Sequence, residues 1–531
     1  MPVDDGARAS CKEKPVAIET PEQHEALIRA LMDTARWPQG GGDRRRIDTH
    51  ISSVILAGNL AYKIKKPLDL GFLDFVSLQA REQACREELR LNRRLAPDIY
   101  LDALPLTGSV DAPRVDGGGP VIDWAVVMRR FDPDAILSNL AAELTPSLIA
   151  RLARRVAGFH AGAAVSPDTA PYGGPETALA PMQDNFDQIT GLTGDGHPSL
   201  NGLRAWTLER YADLLDTLCR RKATGHVREC HGDLHLGNVA LIDGEPVVFD
   251  AIEFSPGLRW IDTQNDVAFL TMDLHHGGRA ALAYCFLDRY LQITGDYEGL
   301  AVLRFYEVYR AMVRAKIAAI RQQQDLPAQE RQLVEIELAS YLVLAERLTA
   351  ARRGALIITY GLSGSGKSFQ GAALTGPLPA LCLRSDVERK RLLGVDPGED
   401  ATALGGYSPD LTRRTYARLA ELARSVVDAG YVAVVDATFL LAAQRAPFSE
   451  LAAELGVPFV ILDCDAPVEV LRQRILMRRQ EAGNVSDADL AVLERQLVVR
   501  EPLSDAELGY AIRVRPESDP PVAVLRQRLV R

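Results

Sequence analysis

Residues 361–368 read G-L-S-G-S-G-K-S, a match to G-x-x-x-x-G-K-[ST], and no other stretch restricts the fold of the chain so tightly. Glycine lets a backbone wrap closely around a polyphosphate and turn successive N–H groups toward its oxygens. In such a loop Gly361, Ser363, Gly364, Ser365 and Gly366 surround the phosphates, Lys367 reaches the outer ones, and the Ser368 hydroxyl ligates Mg²⁺. The flanks decide whether the match has a structural context. Residues 355–360 (A-L-I-I-T-Y) are an apolar, β-branched run that predicts a buried strand. Residues 369–374 continue as a helix, whose N-terminus adds a partial positive charge at the phosphates. Strand, loop and helix together predict a site for ATP or GTP; the alternative is a Gly/Ser-rich surface turn.

The rest of the C-terminal half fits that frame. Apolar runs at 380–383, 431–435, 458–462 and 510–514 alternate with helical stretches at 409–429, 442–455, 467–479 and 487–500. Such alternation predicts an α/β domain with a parallel sheet and helices on both faces, with ligands at the carboxyl ends of the strands. Asp436 ends one strand and is placed to hold Mg²⁺. Asp386 follows another and is placed to take a proton from an acceptor hydroxyl. Arg389, a turn further on, is placed to hold the acceptor's phosphate or another anionic group. Arg472, Arg474, Arg478 and Arg479 crowd one helix, with Gln496 and Arg500 on the next. They read as a basic lid over the phosphates or as an ordinary solvated face.

A chain of 531 residues is too long for one domain. The net charge of −10 excludes a global basic field for nucleic acid, although a local groove stays open. Seven cysteines without a C-x-x-C spacing indicate neither zinc nor a disulfide framework. No stretch approaches the length of an apolar membrane span, and the polar first ten residues lack a signal-peptide core. The expectation is a cytoplasmic protein with no membrane partner.

In the N-terminal half, residues 1–24 read as flexible, although an amphipathic helix is predicted over 21–37. Arg44, Arg45 and Arg46 form either an anion patch or the solvated entry to a strand. Strands at 52–56 and 60–64 flank the turn Ala57-Gly58-Asn59, and Lys63 lies in the second. A helix over 77–95 carries Glu87 and Glu88, and a strand spans 121–128; from there to about 225 the pattern is mainly helical.

A second chemical constellation follows. Residues 230–238 read C-H-G-D-L-H-L-G-N, and Asp250 comes twelve residues after Asn238, past a Gly244 turn. Two short strands around that turn would bring Asp233, Asn238 and Asp250 to one edge. This is the trio that phosphoryl transfer uses: a carboxylate for the hydroxyl, and an amide oxygen plus a second carboxylate for Mg²⁺.

His231 to Asn238 resembles the H-G-D-x-x-x-x-N loop of the aminoglycoside phosphotransferase and choline kinase-like family, and Asp250 in V-V-F-D-A-I-E-F resembles its later metal-binding aspartate. The resemblance implies an α+β, bilobal, protein-kinase-like domain over about 25–345, with lobes at about 25–128 and 131–345. It implies Asp233 as catalytic base, Asn238 and Asp250 as Mg²⁺ ligands and His231 as loop support. It also implies that Lys63 pairs the α- and β-phosphates, with Glu88 (or Glu87) as its helix partner. No G-x-G-x-x-G precedes Lys63; Thr49 to Ser53 stand there. The half over 353–531 is similar to P-loop kinases of small molecules and polynucleotide 5′-ends, on the phosphate loop, the R-S-D-x-x-R of residues 384–389, Asp436 and the arginine-rich helix. The expected function is γ-phosphate transfer to hydroxyls of small-molecule acceptors at two nucleotide sites. Polynucleotide 5′-hydroxyl kinase activity in the second half and a non-catalytic, nucleotide-gated module are the alternatives.

Overall fold

The computed structural model of the chain describes residues 17–33, 44–71, 73–194, 198–395, 408–478, 489–515 and 518–529. The chain falls into two compact units. One is Met1–Ala142 with His231–Trp260, the other Glu143–Cys230 with Ile261–Arg531.

In the first unit, helix α1 (Pro21–Asp33) precedes strands β1 (Arg44–Asp48), β2 (Ser52–Ala57) and β3 (Leu60–Lys65). Helix α2 (Leu78–Asn92) and strands β4 (Tyr100–Ser109), β5 (Ala112–Val115) and β6 (Val121–Arg129) follow. The strands form one antiparallel sheet in the order β1-β2-β3-β6-β4-β5. The β2–β3 turn is tight because Gly58 takes φ +60°. Side chains alternate across the pleat. Tyr62 and Ile64 of β3 therefore pack with Leu27, Ile28 and Leu31 of α1. The intervening Lys63 and Lys65 meet Glu88 of α2. Ser77 caps α2, its hydroxyl accepting the Ala80 N–H at 3.1 Å. A hairpin, β7 (Val239–Ile242) and β8 (Glu245–Val248), turns through Asp243 and Gly244, both at positive φ.

The reading of residues 1–24 as flexible needs correction over 17–24. Ile18 is fully buried in the sheet core, and its carbonyl accepts from Arg81 Nη2 at 2.6 Å. His24 is buried too, 3.0 Å from Ser53 Oγ. Residues 1–16 lie outside the described residues, as do 34–37 of the predicted helix. The arginine run takes the bland course: Arg46 pairs with Glu25 and Asp48, and Arg44 caps the carbonyls of Leu31 and Met32.

The second unit opens with helices α3 (Pro146–Gly162), α4 (Pro175–Thr193), α5 (Pro198–Ala223), α6 (Thr263–His276), α7 (Ala280–Thr294), α8 (Leu300–Gln322) and α9 (Ala328–Thr349). Helices α4, α5, α6, α8 and α9 share a core that includes Phe186, Phe269, Met312, Leu338 and Leu342. Strands β9 (Ala355–Tyr360), β10 (Ala380–Arg384), β11 (Val432–Asp436), β12 (Phe459–Cys464) and β13 (Ala511–Val514) then alternate with helices α10 (Lys367–Leu374), α11 (Ser385–Leu393), α12 (Pro409–Asp428), α13 (Ala442–Glu454), α14 (Val468–Arg478) and α15 (Leu490–Val499). All pairings are parallel, in the order β10-β11-β9-β12-β13. The fold is thus kinase-like in the N-terminal half and a P-loop NTPase-type sheet in the C-terminal half. Helix α7 joins the sheet directly: Asp288 Oδ1 accepts the Cys382 N–H of β10 at 2.7 Å. Among the described residues no helix is long and apolar enough to cross a membrane.

Candidate active sites

Lys63 Nζ lies 2.9 Å from Glu88 Oε1 and 2.5 Å from Asp250 Oδ1. Glu88, not Glu87, is the helix partner; Glu87 instead pairs with Arg90 and Arg259. Burial by itself would strip the Lys63 ammonium of its proton, but the Asp250 and Glu88 carboxylates outweigh it and hold the pKa well above the usual lysine range. Burial pushes the Glu88 carboxyl up, and Lys63 and Lys65 bring it down to about 2. Asp250 sits at φ +65°, its N–H bonded to the Tyr100 hydroxyl at 3.1 Å, and the next N–H, of Ala251, bonds Asn92 Oδ1 at 2.8 Å. A non-glycine residue held in that region by two side-chain bonds is an over-determined position of the kind found at functional sites.

Sequence reasoning missed two members of this network. Lys65 is fully buried and bonds both Glu88 and Glu253. The signal was present: residues 63 and 65 are two apart in a strand and share a face. Glu253 lies in an irregular segment, where spacing carries no such information.

The loop after Cys230 is tied to the residue before Asp250 through one ring. His231 Nε2 donates to the Phe249 carbonyl at 2.9 Å, and its Nδ1 accepts the Asp233 N–H at 3.2 Å. That bonding fixes a neutral imidazole with its proton on Nε2. Gly232 turns the chain at φ +87°, where a Cβ would stand 2.8 Å from the Leu258 carbonyl oxygen. Asn238 Nδ2 donates to Asp233 Oδ2 at 2.8 Å and to the Asp233 carbonyl at 2.9 Å. Its amide oxygen remains as a metal donor. His235 Nδ1 accepts the Gly237 N–H, which leaves its Nε2 proton for Asp233 Oδ2 at 3.3 Å. The hard oxygens of Asn238 and Asp250 suit Mg²⁺.

In the second unit, Gly361 has φ +151° and no room for a side chain, since a Cβ would fall 2.2 Å from the Cys464 carbonyl oxygen. Gly364 and Gly366 also take positive φ, and Gly366 caps α10. Ser365 and Lys367 are buried within the loop, and Lys367 Nζ donates to the Leu362 carbonyl at 2.7 Å. Ser368 follows Lys367 at the start of α10 and acts on Asp436, whose carboxyl is raised by burial against the pull of Arg384, Ser368 and Lys367. A hydroxyl beside a buried carboxylate again fits Mg²⁺. Asp386 and Arg389 pair at 2.7 Å.

Two neighbouring helices reach the loop: Gln496 Oε1 of α15 accepts the Ser363 N–H at 2.9 Å, and Arg474 of α14 donates to the Gly364 carbonyl at 3.4 Å. Arg472 instead makes an exposed pair with Glu494, and Arg500 bonds the Tyr360 hydroxyl. The Arg478 side chain and Arg479 lie outside the described residues.

Two family models match the chain: the phosphotransferase enzyme family over residues 72–306 and the AAA domain over 356–503. An uncharacterized protein of Mycobacterium tuberculosis (strain ATCC 25618 / H37Rv) is 30% identical over 478 residues, covering 88% of this chain and 91% of its own. Among solved structures, the GDP complex of wild-type aminoglycoside 2′-phosphotransferase-IIIa matches 62% of this chain and 98% of its own, at 13% identity and TM-score 0.36. A gluconokinase from Sinorhizobium meliloti 1021 matches 34% of this chain and 92% of its own, at 20% identity and TM-score 0.24.

Proposed function

From the premise that this chain belongs to one family with the mycobacterial protein, and joins a phosphotransferase enzyme family module to a P-loop kinase-like module, we propose that both modules transfer the γ-phosphate of ATP or GTP to hydroxyl groups of small-molecule acceptors. One observation carries the reading. Each unit by itself holds a lysine for phosphate, oxygen donors suited to Mg²⁺ and a carboxylate for the acceptor: Lys63, Asn238, Asp250 and Asp233 in one, Lys367, Ser368, Asp436 and Asp386 in the other.

In the first unit, Asp233 accepts the proton of the acceptor hydroxyl as its oxygen bonds the γ-phosphorus and the bond to the β-phosphate oxygen breaks. Asn238 holds the Asp233 carboxylate by its amide N–H, and His231 fixes the loop's backbone. Lys63 exchanges its Asp250 contact for phosphate while Glu88 keeps it in place. In the second, Asp386 plays the base, aligned by Arg389, and the loop amides and Lys367 hold the phosphates. Mg²⁺ at Asn238 with Asp250, or at Ser368 with Asp436, would offset the charge of the phosphates.

The test is incubation of the full chain with labelled ATP and a metabolite extract. Asp233→Asn should slow one class of product about 10²–10⁴-fold and leave the other, while Lys367→Ala should do the reverse. If neither substitution changes any product, the reading is wrong.

A further inference from the structure

Strand β11 ends at Asp436, and the three residues after it make a strained, firmly tied turn. Phe439 sits at φ +50°, in the left-handed region that an aromatic residue rarely takes. Its surroundings hold it there. The Phe439 N–H donates to the Tyr416 hydroxyl of α12 at 3.2 Å, and its carbonyl accepts from Arg445 Nη1 of α13 at 3.0 Å. Its buried ring meets those of Tyr416 and Phe448 edge-on, at 5.1 and 4.9 Å between centroids. Upstream, Thr359 Oγ1 of β9 accepts the Ala437 N–H at 3.2 Å and donates to the Ala437 carbonyl at 2.7 Å. The Thr438 carbonyl accepts the N–H of Gly361, the first residue of the phosphate loop, at 3.1 Å. Backbone strain that is fixed from so many directions points to a functional position.

What the turn presents is one hydroxyl. Of residues 431–440, Thr438 alone is half-buried and the others are buried. Its Oγ1 lies 3.4 Å from the Tyr416 hydroxyl. A hydroxyl has one donor and two acceptor positions, so this single contact leaves Thr438 with capacity for a ligand. It stands on the acceptor side of the loop. Strands β10 and β11 pair in parallel with Arg384 opposite Asp436, and two residues beyond that pair the neighbouring chains carry Asp386 and Thr438. Adjacent strands lie about 4.8 Å apart. Helix α11, which holds Asp386, packs on α12, which holds Tyr416. The Tyr416 phenol agrees: burial raises it above the ordinary tyrosine range, the bonds from Thr438 and Phe439 oppose this, and Arg389 and Asp386 act on it in opposite senses.

Resting on the reading that the P-loop unit transfers phosphate, we infer that Thr438 is an acceptor-orienting residue: its hydroxyl bonds a second polar group of the acceptor while Asp386 takes the proton of the hydroxyl that reacts. The acceptor class follows. A diol or an amino alcohol offers two such groups side by side, as the ends of two adjacent strands require; a simple monohydric alcohol offers one. Tyr416 is a positioning residue, acting through Phe439 and Thr438.

The test uses the full chain with labelled Mg·ATP and a dilution series of a metabolite extract, following the Lys367-dependent product. Thr438→Val removes the hydroxyl and keeps the branched shape; Thr438→Ser does the opposite. Thr438→Val should slow product formation about 3–10-fold at the highest dilution and less in concentrated extract, since one neutral hydrogen bond to the acceptor is lost. Thr438→Ser should restore most of the rate. Equilibrium dialysis with labelled ADP should give the same affinity and the same number of equivalents for both variants. Tyr416→Phe should slow the same product and spare the Asp233-dependent one. Equal rates for Thr438→Val and wild type would overturn the assignment. So would a loss in Thr438→Ser that Thr438→Val does not show, which is the pattern of packing alone, or a loss of bound ADP in Thr438→Val. Failure of the transfer reading looks different: wild type would form no Lys367-dependent product at any dilution, and the role of Thr438 would fall with it.

Discussion

Replacing Lys65 with methionine tests the buried charge network of the first unit. Lys63 and Lys65 face three carboxylates, Glu88, Asp250 and Glu253, so the group carries one net negative charge. Lys65→Met leaves two, and it takes from Glu253 its ammonium partner in a fully buried position. Methionine fills similar volume, so the cost is mainly electrostatic. Removing one partner of a buried pair typically costs about 3–5 kcal/mol.

The double variant Lys65→Met/Glu253→Gln returns the network to one net negative charge, and should recover about 1–3 kcal/mol relative to the sum of the single changes. Glu253 is already raised by burial, with Glu88 adding to it and Lys65 opposing, and without Lys65 it rises further. A carboxyl whose folded pKa exceeds its unfolded value contributes stability below the unfolded pKa and loses it as pH rises through the folded one. The deficit of Lys65→Met should therefore shrink toward acid pH. The assay is amide hydrogen exchange, read as free energies at β3 and α2, which isolates this unit from the other. A single variant within about 1 kcal/mol of wild type, or strictly additive effects in the double, would refute the reasoning.

Further expectations concern the backbone and the acid limb. Gly232→Ala forces a side chain to φ +87°, against the Leu258 carbonyl. It should cost about 1–3 kcal/mol and suppress the Asp233-dependent product alone, as measured by product analysis. Gly361→Ala drives a Cβ toward the Cys464 carbonyl and should remove one nucleotide equivalent in equilibrium dialysis while sparing the other. Arg445 pairs with Glu507 and brings its carboxyl down to about 2. That stability is present above the ordinary carboxylate range and is lost as pH falls toward 2, so Glu507→Gln should flatten the acid limb of a thermal-stability profile.

The parallel sheet was legible because each strand is a buried apolar run and each connection a helix, so β9 was bounded correctly to the residue. The bonded pairs were legible where a motif fixes spacing, as between Asp233 and Asn238. Strands β4 and β5 were not. Pro105 and Gly108 interrupt β4, and its pairing with β6 carries register shifts.

The bond between Asp288 and the Cys382 amide bears on how this protein can be taken apart. β10 is an outer strand of its sheet, and outer strands offer unpaired amides to any other chain. Here α7 covers it through Asp288 and also holds its flanks: Cys285 Sγ donates to the Thr375 carbonyl before β10 at 3.8 Å, and the Gln292 carbonyl accepts from Arg391 of α11 at 2.7 Å. A fragment beginning at residue 353 would shed that cover and display a row of backbone donors and acceptors flanked by Leu381 and Leu383. It should self-associate through β10, whereas a fragment beginning at residue 143 keeps its own shield against aggregation.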